Sequence, residues 1–221
     1  MRVVLITLLL ASCTGEPKLV MKPLPPLVEP TAHTQRLEIV VNDLGLVAGE
    51  EFLWDVQVRG FSIGKARMSV HDETVQSRFH TGALASAVAN VAHDLVTSID
   101  RTSARPYASS ERVEAEGKVR QFATQFSGTT AHSFHTALGA IRAWAKPDAP
   151  RGFLNVVHAD QVFRLELESP LAQQAMLRVD GHVIGPDVDL ALTIWLDPER
   201  VPARIEIRDG EDQVTAQLID D

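Results

Sequence analysis

Gly60-Phe61-Ser62-Ile63-Gly64 reproduces the Gly-x-Ser-x-Gly string of serine hydrolases. That chemistry needs the serine on a tight strand-to-helix turn, with an acid and then a histidine downstream. Here the residues after Gly64 alternate like a strand, and the two glycines suffice for a hairpin turn. Ser62 is therefore a remote nucleophile candidate, and no catalytic residue is expected. His132 and His135 stand three apart, a spacing that can bring two imidazoles to one helix face. A metal site usually adds a third ligand nearby, and the zinc pattern His-Glu-x-x-His is absent, so no metal is expected. His71-Asp72-Glu73 is a polar cluster that reads as a loop. Gly60 to Lys65 is one residue short of a phosphate loop and lacks the Ser or Thr that should follow. Arg112, Arg120, Arg164, Arg178, Arg204 and Arg208 fall on predicted strands or their ends, where pairing with Glu166, Glu168 and Glu206 reads as a solvated face. A lipid-headgroup or phosphate role for them is the sharper alternative. Trp54, Trp144 and Trp195 sit on apolar stretches and read as core, or as the lining of a ligand site. No cofactor is expected.

The chain's one cysteine, Cys13, follows Leu10-Ala11-Ser12 at the end of a short apolar run. One cysteine excludes a disulfide framework and an all-cysteine zinc site. Arg2 supplies a positive start, and Val3 to Ala11 is apolar apart from Thr7. That run falls well short of the roughly 20 residues a membrane-spanning helix needs. Leucine, two small residues and cysteine resemble the bacterial lipoprotein lipobox. The resemblance implies cleavage before Cys13, acylation of its thiol and of the new amine, and membrane attachment through that lipid. Two or more acyl chains hold a protein firmly, each buried CH₂ contributing about 0.8 kcal/mol. Thr14, rather than Asp, follows the cysteine, which favours the outer membrane facing the periplasm. Residues 13–44 carry Pro17, Pro23, Pro25, Pro26 and Pro30 and read as an extended tether. Leu19-Val20-Met21 and Leu24 could serve as docking anchors within it. The whole chain has 21 basic against 29 acidic residues. Such a balance argues against nucleic acid as a partner.

The remainder, residues 45–221, reads as one β-rich domain. Phe52, Trp54, Val56 and Val58 alternate with mostly polar neighbours, and Ala66, Met68 and Val70 return after the turn, giving a hairpin. Residues 75–80 suggest a third strand. Leu84, Val88, Val91, Ala92, Leu95, Val96 and Ile99 form an apolar stripe at helical period, which predicts a helix with small residues on its other faces. Residues 111–126 predict two strands, and His132 to Trp144 a second helix that stops before Pro147. The last third alternates again, over 162–168, 177–183, 190–196, 201–207 and 214–218, with Pro198-Glu199-Arg200 and Asp209-Gly210 as turns. The expected fold is α+β and mainly β: a curved antiparallel sheet or partly open β-barrel with one or two packed helices.

Trp54-x-Val56-x-Val58-x-Gly60-Phe61-x-x-Gly64 resembles the opening hairpin of the bacterial domain-of-unknown-function 3108 family. Leu192-Thr193-Ile194-Trp195-Leu196-Asp197, Arg200-Val201-Pro202-Ala203-Arg204-Ile205-Glu206 and Ala216-Gln217-Leu218 resemble its closing strands. Ile99-Asp100-Arg101 and His132-Ser133 to Arg142 stand where that family has its middle patterns, so the similarity spans about residues 48–220. Asp197-Pro198-Glu199 departs from the family's usual acidic pair at that turn. The resemblance implies an exported, β-rich domain and carries no catalytic residues with it. The leading expectation is a lipoprotein whose sheet wraps a hydrophobic groove for a lipid, an acylated protein or another apolar ligand. The alternative is a non-catalytic scaffold that holds another envelope component, and a hydrolase acting through Ser62 comes third. An enclosed apolar cavity would favour the first, and a filled core the second.

Overall fold

A computed structural model of the protein describes residues 36–87 and 89–219. Cys13, the leader before it and the proline-rich segment as far as residue 35 lie outside the described residues. The strands are β1 (Leu37–Glu38), β2 (Glu51–Val58), β3 (Phe61–Val70), β4 (Thr74–Thr81), β5 (Val91–Asp100), β6 (Arg105–Ala115), β7 (Lys118–Gln125) and β8 (His132–Ser133). After the helix come β9 (Gly152–His158), β10 (Gln161–Leu167), β11 (Leu171–Gln173), β12 (Met176–Gly185), β13 (Val188–Leu196), β14 (Pro202–Asp209) and β15 (Asp212–Leu218). A single turn, α1 (Ala83–Ser86), follows β4, and an 11-residue helix, α2 (Phe134–Trp144), follows β8. Among the described residues no helix is long and apolar enough to cross a membrane.

The strands make one sheet in the order β1-β9-β10-β12-β13-β14-β15-β2-β3-β4-β5-β6-β7, not closed into a barrel. The expected class, mainly β with a curved antiparallel sheet, is the one observed. Tight turns produce this meander. Arg59-Gly60 and Glu116-Gly117 each place two successive residues at positive φ, the conformation of two-residue hairpins whose twist matches that of the strands. The last strand returns to the first hairpin, with Val214 opposite Val58 and Leu218 opposite Trp54. Among the described residues, β1 and β8 alone pair in parallel, both on β9.

Helix α2 begins with a capping box. The Ser133 hydroxyl accepts from the Thr136 N–H, and the Thr136 side chain accepts from the Ser133 N–H. The helix buries Ala137, Leu138, Ala140 and Ile141 against Phe52, Trp54, Met68, Val70, Leu154, Leu167, Val179 and Leu196. Leu44 and Leu46 close over its small residues, and a Cβ on Gly139 would lie 2.8 Å from Leu46 Cγ. Residues 36–44, expected as tether, thus belong partly to the packed body: β1 pairs with β9, and Ile39 and Leu44 are core.

Arg142 fastens the helix from below. Its guanidinium donates to both carboxylate oxygens of Glu50, at 2.8 and 2.7 Å, and its Nε donates to the Arg200 carbonyl at 2.8 Å. The Arg142 side chain is only 4% exposed, so losing one partner strands the other. Arg142→Ala is expected to destabilise the fold by about 3 kcal/mol, read as a lower denaturant midpoint at unchanged slope. Gly64 is equally constrained, because a Cβ there would stand 2.1 Å from the His80 carbonyl oxygen across the β3–β4 ladder. Gly64→Ala must push those strands apart, and about 1–3 kcal/mol of lost stability in the same measurement is expected.

The helix predicted from the stripe at 84–99 is not formed. Only Ala83–Ser86 turns helically, and Val91–Asp100 is β5, between β4 and β6. Val91, Leu95, Thr97 and Ile99 are its buried residues, all at odd positions. Two polar residues among the inward positions, His93 and Thr97, break the apolar alternation. Ala92 and Val96 on the other face then complete a false helical stripe. Trp195 also departs from its expected core position. Leu192, Ile194 and Leu196 point inward, so Trp195 faces outward, with the Arg204 and Arg178 guanidinia 5.0 and 6.0 Å from its ring.

Candidate functional site

Where the two ends of the curved sheet approach, a run of polar side chains fills the seam. Glu111 is the hub. It projects inward from β6 opposite Leu95, diagonal to His93 of β5, which pairs with Val113. His158 ends β9, at the opposite end of the strand order. His93 Nε2 lies 2.8 Å and His158 Nδ1 3.0 Å from the same oxygen, Glu111 Oε1. The second oxygen, Oε2, accepts the Ala159 N–H at 2.8 Å. One acceptor oxygen facing two ring nitrogens requires each nitrogen to carry a proton.

The electrostatics follow from that arrangement. Burial alone would raise the Glu111 carboxyl, but hydrogen bonds from His158 and His93, with their charge, hold it well below the usual carboxylate range. Burial would lower His158, and the Glu111 carboxylate overcomes this and raises it. His158 Nε2 is buried with no hydrogen-bond partner among the described residues. The Glu111 side chain is 5% exposed, against 27% for His93 and 19% for His158, so the cluster is reached from the histidine side.

A second group lies along the same seam. His135 Nδ1 is 2.9 Å from Thr97 Oγ1 and its Nε2 is 2.9 Å from Ser77 Oγ. Thr97 donates onward to Ser133 Oγ at 3.1 Å, so the His135 proton belongs on Nδ1 and Ser77 donates to Nε2. Arg105 donates to His132 Nε2 at 2.7 Å, which obliges that ring to be neutral with its proton on Nδ1, towards Thr136 Oγ1. Burial, and for His132 also the Arg105 charge, push both histidines down to about 3.

The residues singled out from sequence do not come together as a site. His132 and His135 do not meet directly but are joined through a chain of hydroxyls, Thr97, Ser133 and Thr136. Ser62 lies within β3 after a hairpin turn, and its hydroxyl donates to Asp55 Oδ1 at 2.5 Å, a carboxylate rather than an imidazole. His71-Asp72-Glu73 is the loop between β3 and β4, held by Arg101 through the His71 and Asp72 carbonyls. Arg204 and Arg208 both bind Glu206, and Arg178 binds Asp180. Arg164 departs from the expected solvated face: it is buried, bonded to Glu166, with its guanidinium 3.6 Å from the Phe153 ring centroid. Trp54 is core, its Nε1 donating to the Pro202 carbonyl at 2.9 Å. Trp144 is partly buried against the core.

Sequence reasoning missed His93, Glu111 and His158 altogether. They belong to three strands, far apart in the chain, and no local spacing announces them. The only available signal was a histidine and a threonine on one side of β5, where apolar residues were due.

No family model matches this chain, and no curated protein is significantly similar to it.

Proposed function

We propose that this protein is a lipid-anchored component of the bacterial cell envelope, acylated at Cys13. In this reading it is held on the outer membrane facing the periplasm and works as a non-catalytic interaction or scaffold domain. The anchor and address rest on the lipobox-like Leu10-Ala11-Ser12-Cys13, and the export expectation also on the motifs that resemble the domain-of-unknown-function 3108 family. The scaffold reading is carried by one observation: the face of the sheet that would have to wrap an apolar ligand is occupied by the chain itself. Met68, Leu154, Leu167, Val179 and Leu196 are almost wholly buried beneath α2 and the 44–46 segment. The small-residue covering helix that suggested room for a ligand is instead strand β5. An open pocket of about 240 Å³ lined by Ala48–Glu51 and Ser69–Asp72 presents polar as well as apolar atoms. Partner contacts then fall to the outer surface, where Phe61, Leu84, Leu171 and Met176 are exposed.

Growth with labelled palmitate, followed by mass spectrometry of the mature amino terminus, tests the anchor. Label on Cys13 and loss of residues 1–12 are expected, and an unlabelled, uncleaved chain would remove the reading. Native mass spectrometry of the same extracted protein tests the filled interior. Acyl chains attached at Cys13 and no stoichiometric non-covalent lipid are expected; one retained lipid per chain would restore the carrier reading.

A further inference from the structure

We propose that His93, Glu111 and His158 bind one divalent transition-metal ion of the zinc type. His93 Nε2, His158 Nδ1 and Glu111 Oε1 all lie within 4.8 Å of one another. Around zinc, bonds of about 2.0–2.2 Å to nitrogen and carboxylate oxygen set ligand atoms roughly 3.3–3.5 Å apart in a tetrahedron. The observed separations from Glu111 Oε1 are 2.8 and 3.0 Å and the two ring nitrogens stand no more than 4.8 Å apart, so exchanging the bridging protons for a metal asks for movements of a few tenths of an ångström at the carboxylate and up to about 1 Å between the rings. Nothing has to be brought in from a distance.

The donor set selects the ion class. Two imidazoles and one carboxylate suit zinc and its transition-metal neighbours, whereas calcium and magnesium prefer all-oxygen shells. Three protein ligands leave a fourth position for water, the arrangement of open sites. The outer contacts fit as well. The Ala159 N–H holds Glu111 Oε2 and so aims Oε1 at the histidines, the kind of support that orients metal ligands. The exposed edges of His93 and His158 give the ion a path in. The proposal does not rest on the envelope reading, and a failure of acylation would leave it intact.

The experiment uses the full-length chain, freed of metal with a chelator, dialysed, and titrated with Zn²⁺ and separately with Co²⁺. One equivalent of Zn²⁺ per chain is expected, with visible ligand-field bands from four- or five-coordinate Co²⁺. His93→Ala should weaken binding by about 100-fold or more, the upper end of what even an indirect ligand contact contributes. His182→Ala, in the exposed His182–Asp189 pair, should leave it unchanged. Failure of the folded wild-type chain to bind one equivalent would overturn the proposal, as would a His93→Ala variant that binds equally well. If that variant does not fold, carbethoxylation mapping of the wild-type chain decides. Zn²⁺ should then protect His93 and His158, and equal modification with and without the ion would end the proposal.

Discussion

Replacing Glu111 by alanine is expected to cost about 3–5 kcal/mol of folding stability, measured by urea unfolding at neutral pH with chelator present. The carboxylate accepts three hydrogen bonds from three separate places: His93 on β5, His158 at the end of β9, and the Ala159 backbone. Its removal leaves two imidazole N–H groups and a backbone N–H with no acceptor in a largely enclosed seam. Each stranded group carries the desolvation cost it was spared before. Because these bonds join opposite ends of the strand order, the loss is not local to one hairpin. For a domain of this size, that corresponds to a melting temperature lower by roughly 10–15 °C. A loss below about 1 kcal/mol would mean the seam closes by apolar packing alone, through Phe126, Ala131, Val157 and Val162.

Acid should weaken the fold well before the carboxylates titrate. His132 and His135 are pushed down to about 3 in the folded chain, against 6.5 when unfolded. Below pH 6.5 the unfolded chain therefore binds protons that the folded chain refuses, so stability falls as pH falls. At pH 5 each histidine contributes a loss of about 2 kcal/mol, and the two together about 4. Arg105 faces His132, and His93 and Glu111 are the ionisable groups acting on His135, so the two sites respond through different neighbours. His158 has the opposite sign. Its raised folded value gives stability that is fully present below pH 6.5 and is lost as pH rises through that value. It therefore does not offset the acid loss between pH 6.5 and 5. Glu50 and Glu111, held below their ordinary 4.5, lose their contributions only at lower pH still. Denaturant midpoints at pH 7 and pH 5 read the effect directly. His135→Gln, whose amide can still bond Thr97 and Ser77, should remove about half of it. A flat profile over that range would show the two rings to be hydrated.

Elements with strict alternation between turn signals were readable in the sequence. Strands β10 and β12 to β15 lie within two or three residues of where Val162, Leu177, Leu190, Val201 and Val214 placed them. Helix α2 was readable for the same kind of reason, since its apolar residues keep helical spacing and Pro147 follows. The failures concentrate at the seam. Strand β5 was mistaken for a helix because His93 and Thr97 take inward positions, and those same two side chains belong to the polar cluster. Strand β9 gave no alternation, because Leu154, Asn155 and Val157 are all buried. The misread strand and the missed cluster therefore have one cause. Polar residues were placed in the interior for the partners they meet across the seam, and those partners come from distant parts of the chain.

Glu111 and His158 act as one unit that ties β6 to β9. A double-mutant cycle with Glu111→Ala, His158→Ala and the pair, read by urea unfolding in chelator, measures that directly. A coupling of roughly 1.5–3 kcal/mol is predicted, with the double variant little worse than Glu111→Ala alone. Losses that simply add, within about 0.5 kcal/mol, would contradict it.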